Sequence, residues 1–417
     1  MARLTAAARV KRRVKTAAGP VASLTSVRPG ATLRAGTTKV LARRLAAFFS
    51  EADLKGIWPA LLIWSAALAG LWLTAYLAGY HPWLPRTWAH WDAGHYLDIA
   101  RRGYDVHRCA PGEADKGGWC GNAGWFPGYP LLIAGLHGLG VPAVAAGVAI
   151  AWLFSAAALA LLWRTLLHGL PAVAAVGGLI YAGWAAGQIY DYAVFPLSML
   201  FFFTVAYLHL LHRGRWLVAG LAGAAAVLSY PIGVTLPIAA TVWAVIATPR
   251  IRLRDLAQAT IPSGVAFLAI VAIQRIQTGR WTAFWDVQRQ YGHGFHDPFG
   301  VTWNALLLLV RNRSLDVTAT AWQTVFVSAL ALAVFVHAVL RRRVATRLDL
   351  LLVVWMLVTW GFPLTQANVS VWRSQAALAP MAALVARLPR PVLAVSIGAS
   401  IGLSVLLARL YFSGRLI

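Results

Sequence analysis

The segment His90-Trp91-Asp92-Ala93-Gly94-His95-Tyr96 sets one carboxylate between two imidazoles, among aromatic rings that favour a membrane–water interface. A carboxylate fixed at that depth can take a proton from a hydroxyl of a lipid-linked molecule. His90, Asp92 and His95 are also donors of metal-ligand type, but an HxDxxH spacing without a fourth ligand is a weak metal signature. Asp98 falls about 120° around a helix from Asp92, so the two carboxylates are not expected to act as a close pair. The alternative role for Asp92 is to cap a helix, which Asp favours.

These residues open a polar stretch, 88–130, which closes with Trp125-Phe126-Pro127-Gly128-Tyr129-Pro130 and carries five of the thirteen acidic residues. Apolar sequence flanks it on both sides. Hydrophobic residues make up 59% of the 417, and charged residues 12%, against about 25% charged in soluble proteins. A helix needs about 20 apolar residues to cross a bilayer. Clear runs lie at 57–79, 141–167, 194–211, 256–276, 318–340 and 392–411, with shorter ones at 172–187, 216–228, 232–247, 350–364 and 375–388. The chain therefore reads as an all-α, polytopic transmembrane helical protein of about eleven spans, because helices satisfy every backbone group in lipid.

The net charge of +24 raises nucleic acid as a partner, and its distribution answers against it. With loops assigned alternately from a cytoplasmic N-terminus, 24 of the 37 Lys and Arg fall inside, as the positive-inside rule requires. Residues 1–50 hold eleven of them and no acid, a basic disordered cytoplasmic tail beside anionic headgroups. Residues 51–417 form the membrane domain, with the C-terminus outside. The segment 57–79 is too long for a signal-peptide core and is read as an anchor. Cys109 and Cys120 share the first outside loop, 80–128; an even pair in an oxidising compartment reads as a disulfide, with two free thiols as the alternative.

Within that loop, 89–102 has the pattern of a helix lying on the membrane, stopped by Gly103; after it, 129–139 reads as a short amphipathic or re-entrant helix. Further outside segments are 277–303, with 303–317 as a surface helix, 365–374, and the polar knot 188–192. Nine acids fall outside and none sits in the middle of a clear span, which argues against an ion-coupled transporter.

Outside the membrane there are no nucleotide sugars or ATP, so group transfer there needs a donor activated on a lipid. A sugar on a polyprenyl phosphate has a leaving group that needs no general acid. Such a transfer requires one carboxylate as base and cations for the phosphate, whereas glycoside hydrolysis generally uses two carboxylates.

The run from His90 to Ala100, Gly103-Tyr104, and Trp125-Phe126-Pro127-Gly128-Tyr129-Pro130 together resemble the PIG-V group of mannosyltransferases, membrane enzymes of GT-C architecture. The similarity continues in order at Tyr190-Asp191-Tyr192, Arg215-Trp216-Leu217-Val218-Ala219-Gly220, Phe284-Trp285-Asp286-Val287-Gln288-Arg289-Gln290 and Val371-Trp372-Arg373-Ser374, covering roughly 57–417. His90 replaces the Arg usual in that pattern, and Tyr190-Asp191-Tyr192 departs from a Tyr-Thr/Ser-Glu-like knot.

The resemblance implies an inverting glycosyltransferase that moves mannose from a polyprenyl-phosphate donor to an extracytoplasmic lipid- or glycan-linked acceptor. It makes Asp92 the general base and Arg373 the donor-phosphate contact, with a snorkelling interfacial arginine as the alternative for Arg373. Asp191, His90, His95, Arg289 and Gln290 become candidate substrate contacts, and Trp125 and Phe126 the site wall. No cofactor is called for; a divalent metal, should one take part, has Asp92 and Asp191 as its candidate ligands. The Ala- and Arg-rich composition points to a bacterial plasma membrane. A GT-C transferase for arabinose or glucose, and a glycolipid transporter or flippase, are the competing readings.

Overall fold

On several long helices small residues face inward and large apolar ones outward, and this division shows what solvent the fold is built for. The computed structural model describes residues 56–112, 118–247, 250–290, 297–343, 345–366 and 371–416, all within one unit, Leu54–Ile417. The basic tail expected at 1–50 lies outside the described residues.

The first apolar run forms α1, Trp58–Leu77. After a 3₁₀ turn at Pro85–Trp88 come α2, Ala93–Arg102, the antiparallel hairpin of β1, Val106–Arg108, with β2, Trp119–Gly121, and α3, Gly128–Gly138. There follow α4, Ala143–Arg164, α5, Ala172–Gly183, the single turn α6, Ile189–Tyr192, and α7, Leu197–His212. Next are α8, Trp216–Ser229, α9, Thr235–Ile246, and α10, Leu253–Thr278. Two shorter helices, α11, Ala283–Arg289, and α12, Pro298–Arg311, precede α13, Leu315–Leu340. The chain closes with α14, Arg347–Gln366, α15, Val371–Ala376, α16, Ala382–Val385, and α17, Arg390–Phe412.

Six helices, α1, α4, α10, α13, α14 and α17, are long and apolar enough to cross a membrane. On α1 the buried residues are Ala60, Ala67, Leu71 and Ala75, while Leu62, Leu73 and Leu77 face outward. Val265 and Leu268 of α10 and Val395 of α17 are exposed in the same way. Lipid solvates those side chains, so close approach of backbones, rather than burial of bulk, governs helix association. Together these features make the chain an all-α protein with membrane-spanning helices.

The contact of α8 with α10 shows this packing at its tightest. Pro262 inside α10 has no N–H for the Gln258 carbonyl one turn earlier, and Gly220 of α8 lies against that carbonyl. A Cβ on Gly220 would collide with the Gln258 oxygen. Gly220→Ala is therefore expected to force the helices apart and destabilise the fold by at least about 1–3 kcal/mol. Thermal unfolding in detergent checks it, and an unchanged midpoint would show that the glycine does not set the spacing.

Two expectations need correction. The segment 375–388 is not one spanning helix but the end of α15, a 3₁₀ turn at Ala379–Met381, and α16. Pro380 interrupts it, and its small side chains are buried against α5, where Ala386 Cβ and the Ala382 oxygen would touch a Cβ on Gly178. The surface helix expected at 303–317 begins earlier, at Pro298. Asp297 caps it by accepting from the Phe299 and Gly300 amides at 3.0 and 3.1 Å.

In the first loop, Gly103 stops α2 with φ of 81°, a conformation that costs glycine little. The turn before α2 is anchored from several sides. The Trp88 indole donates to the Pro82 oxygen at 2.7 Å, and the Trp88 carbonyl accepts from Val194 N and Tyr411 Oη at 2.8 and 3.0 Å. Those bonds hold the chain entering 90–92 against α17 and the α6–α7 turn.

Candidate functional site

A cavity of about 1010 Å³ opens beside the start of α2. Its wall is mostly apolar and includes Val227 of α8, Ile232 and Ile238, Phe267 of α10, Phe284 of α11 and Phe362 of α14. The same wall carries the polar side chains of Asp92, His95, Tyr96, Gln288, Arg289 and Arg373. Sequence segments from most of the chain's length therefore meet around one space.

Asp92 occupies the cap position of α2, yet its side chain makes no capping bond. Its Oδ2 accepts instead from Arg373 Nη1 at 2.5 Å, with side-chain exposures of 21% for Asp92 and 8% for Arg373. Trp91, just before it, has φ of 58°, the one positive value among the described non-glycine residues. That conformation is costly for a bulky side chain and persists where surroundings enforce it; here it sets Trp91 and Asp92 side by side on the cavity wall.

Arg373 is buried on α15, its guanidinium carbon 5.7 Å from the ring centroids of both Tyr190 and Phe195. Burial works against its charge, and the Asp92 carboxylate overcomes that, so its pKa stands above the ordinary arginine value.

His95, one turn along α2 from Asp92, stacks on the Trp125 indole with centroids 3.6 Å apart and planes inclined by 15°. Burial lowers its pKa, opposed by the Asp92 and Asp98 charges, which favours the neutral imidazole at pH 7. The loop carrying Trp125 is fixed by polar side chains reaching its backbone. Gln274 Nε2 donates to Ala123 O and Gln288 Nε2 to Gly124 O, both at 2.8 Å, and Tyr104 Oη donates to Trp125 O at 3.0 Å. Asn122 Nδ2 bridges Asp98 Oδ2 and Gly103 O at 3.0 and 3.1 Å.

The helix α11, which brings Gln288 and Arg289, is held by Asp286. Its Oδ2 accepts from Arg280 Nε and Nη2 at 3.0 and 2.8 Å and from Thr282 Oγ1 at 2.7 Å. Burial acts to raise the Asp286 pKa, but these bonds outweigh it and hold the group below its ordinary value. The Arg280 guanidinium also lies 3.7 Å from the Trp119 ring centroid, with Arg108 at 4.2 Å from the same ring. Cys109 and Cys120 are joined by a disulfide across this hairpin, and Gln290 Oε1 rests 3.2 Å from the Cys120 sulfur.

Six of the residues singled out in the sequence thus line one cavity: Asp92, His95, Trp125, Phe126, Arg289 and Arg373. His90 and Gln290 are not on its wall. The His90 ring packs edge-on against Tyr411 and Tyr80, with centroids 5.1 and 6.5 Å away, because the reversal at Trp91 turns it to the opposite side from Asp92. Gln290 faces the disulfide hairpin. Among the described residues, no three His, Cys, Asp or Glu side chains converge as a metal site, so Asp92 and Asp191 do not form one with a third such ligand.

Asp191 also stands apart from the cavity wall, buried on α6. Burial pushes its carboxyl up to about 8. An unfolded Asp titrates near about 4, so the folded protein holds a proton that the unfolded chain loses between those values. Stability is then expected to fall as pH rises from about 4 to about 8 and to level off above. Asp191→Asn should remove that slope and raise the melting midpoint at pH 8 in detergent. Equal pH dependence for the two proteins would mean that the group is not held protonated.

Tyr96, Tyr230, Trp285 and Gln288 line the cavity too, although none was named as a substrate contact from the sequence. Tyr96 had a usable signal, since it lies four residues after Asp92 and therefore on the same helix face. Trp285 and Gln288 stand in the run 284–290 that carries the family resemblance, whereas Tyr230 had no signal, because its place depends on how α8 packs. No family model matches the chain, and no curated protein matches it in sequence.

Proposed function

We propose that this protein is an inverting membrane glycosyltransferase, similar to the PIG-V mannosyltransferases. It would carry a sugar, mannose by that resemblance, from a polyprenyl-phosphate donor to a lipid- or glycan-linked acceptor outside a bacterial plasma membrane. The topology that goes with this is N-terminus in and C-terminus out, with the first loop outside, and with the shorter apolar helices and the broken segment 375–388 crossing alongside the six long ones. The observation that carries the reading is the Asp92–Arg373 pair on the wall of a large, mostly apolar cavity. A base and a phosphate-binding cation stand together beside room for an isoprenoid chain.

In this mechanism the donor phosphate binds Arg373, which has the planar fork suited to it. The phosphate competes with Asp92 for the guanidinium and frees the carboxylate. Asp92 then takes the acceptor hydroxyl proton as that oxygen attacks the anomeric carbon from the face opposite the phosphate. The bond from that carbon to the phosphate oxygen breaks, its electron pair leaves with the phosphate, and the configuration inverts. The protein in its empty state therefore keeps its base neutralised until a donor arrives, which protects against unproductive chemistry.

The test is incubation of purified protein in lipid nanodiscs with radiolabelled polyprenyl-phosphate mannose, glucose or arabinose and a membrane lipid extract. Transfer from the mannose donor with inversion is expected. Transfer from another donor alone would change the sugar. No transfer from any of them, with movement of the glycolipid across liposomes instead, would favour the flippase reading.

A further inference from the structure

Three buried tyrosine hydroxyls near the site donate to backbone carbonyls. Tyr104 donates to Trp125 O at 3.0 Å, Tyr129 to Gly147 O at 2.7 Å and Tyr411 to Trp88 O at 3.0 Å. The Tyr96 hydroxyl is different. Its residue is fully buried and forms part of the cavity wall, yet its oxygen has no hydrogen-bond partner among the described residues. A buried hydroxyl without a partner is costly, so its presence calls for a ligand that completes it.

Asp92 is the nearest acceptor by sequence, since the Tyr96 amide already bonds the Asp92 carbonyl at 3.2 Å within α2. The Asp92 carboxylate, however, is turned to Arg373 and takes nothing from Tyr96. The Tyr96 ring is fixed edge-on against Tyr129 and Phe195, with centroids 5.7 and 5.9 Å away, so the hydroxyl cannot swing to a distant acceptor. Burial holds its pKa well above the ordinary tyrosine value, which keeps it a donor. Arg373 Nε is likewise buried without a partner. Two residues of the cavity wall thus hold donors that await an acceptor-rich group.

We infer that the Tyr96 hydroxyl is a binding and catalytic contact for the phosphate of a lipid phosphate monoester or glycosyl phosphate, acting with Arg373 on the oxygen that leaves the sugar. The catalytic part rests on the proposed transferase reading; the phosphate-binding part does not. In the transfer, Tyr96 keeps its own proton. It donates a hydrogen bond that strengthens as the electron pair of the breaking carbon–oxygen bond settles on the phosphate. The acceptor proton goes to Asp92. Opening of the Asp92–Arg373 pair on donor binding would uncover the hydroxyl.

Tyr96→Phe tests this, since it deletes one oxygen and keeps the packed ring. Its turnover is expected to fall about 100-fold, the scale for removing one donor to a developing oxyanion, with the donor KM changed far less. Binding of polyprenyl monophosphate should weaken about 10-fold, while binding of the same polyprenol without phosphate stays as in the wild type. Inorganic phosphate is the third probe. If its binding weakens by the same factor, the site reads the phosphate alone and the lipid adds affinity elsewhere. Thermal stability should be unchanged or raised, because an unsatisfied hydroxyl is removed. A lower midpoint with normal phosphate binding would make the hydroxyl structural and overturn the inference, as would wild-type turnover and binding. Should the wild type transfer no sugar, the binding arm still decides whether Tyr96 contacts phosphate.

Discussion

Asp92→Asn is expected to lower glycosyl transfer at least ~100-fold, the lower end of general-base effects. The amide keeps the shape of the side chain and can still accept a hydrogen bond from Arg373, but it cannot take the acceptor proton. Because Asp92 makes no capping bond, the helix α2 should not fray when the carboxylate is lost. The cost to the fold comes from the ion pair. Arg373 is left buried beside a neutral amide, and a hydrogen bond to a charged group is worth about 1.5–3 kcal/mol, so a moderate drop in melting midpoint is expected. Binding of polyprenyl monophosphate should persist or tighten, since the phosphate no longer competes with a carboxylate for Arg373. A variant that binds the lipid phosphate and still turns over at the wild-type rate would remove Asp92 from the mechanism.

Arg373→Ala is expected to act on both fold and activity. It leaves the Asp92 carboxylate partly buried without its partner, and breaking such a pair from one side costs up to about 3–5 kcal/mol when fully buried. The exposure of Asp92 reduces that figure. Donor turnover should fall by about 10²- to 10³-fold, as when an oxyanion contact is removed. Arg373→Lys keeps the charge but replaces a planar fork with a point charge, and should recover little. Full turnover in the lysine variant would show that the residue serves as an anchor. The double variant Asp92→Asn/Arg373→Ala should be less destabilised than the two single effects predict together, because the partners of one interaction are not additive. Strict additivity in that cycle would mean that the 2.5 Å contact contributes nothing in solution.

What could be read directly from the sequence was local. The membrane class followed from run lengths and composition, and the surface helix from the spacing of its aromatic residues, with Gly103 as its stop. Asp92 stood out as a carboxylate between two imidazoles and among aromatic rings, with helix capping as its alternative role. The periodicity that reveals a helix also assigned Tyr96 to the face of Asp92, although an aromatic ring on that face reads equally well as packing.

Other features depended on tertiary contacts. Arg373 lies 281 residues from Asp92, and no periodicity spans that distance; the packing of α15 on α13 and α14, with its arginine reaching over Tyr190 and Phe195, brings the pair together. His90 and Asp92 are two residues apart, yet the positive φ of Trp91 sends them to different sides, which spacing alone cannot express. The segment 375–388 is as apolar as a span, and its fate was decided by Pro380 and by the small surface of α5 that receives it. Gln274, Gln288 and Tyr104 look like ordinary helix and loop residues, but each spends its polar atom on a carbonyl of the loop at 123–125. Hydrophobic pattern is a property of neighbours in the chain, so it determines which segments enter the membrane. A buried hydrogen bond or ion pair is a property of neighbours in space, so the site's polar contacts are set once those segments have packed.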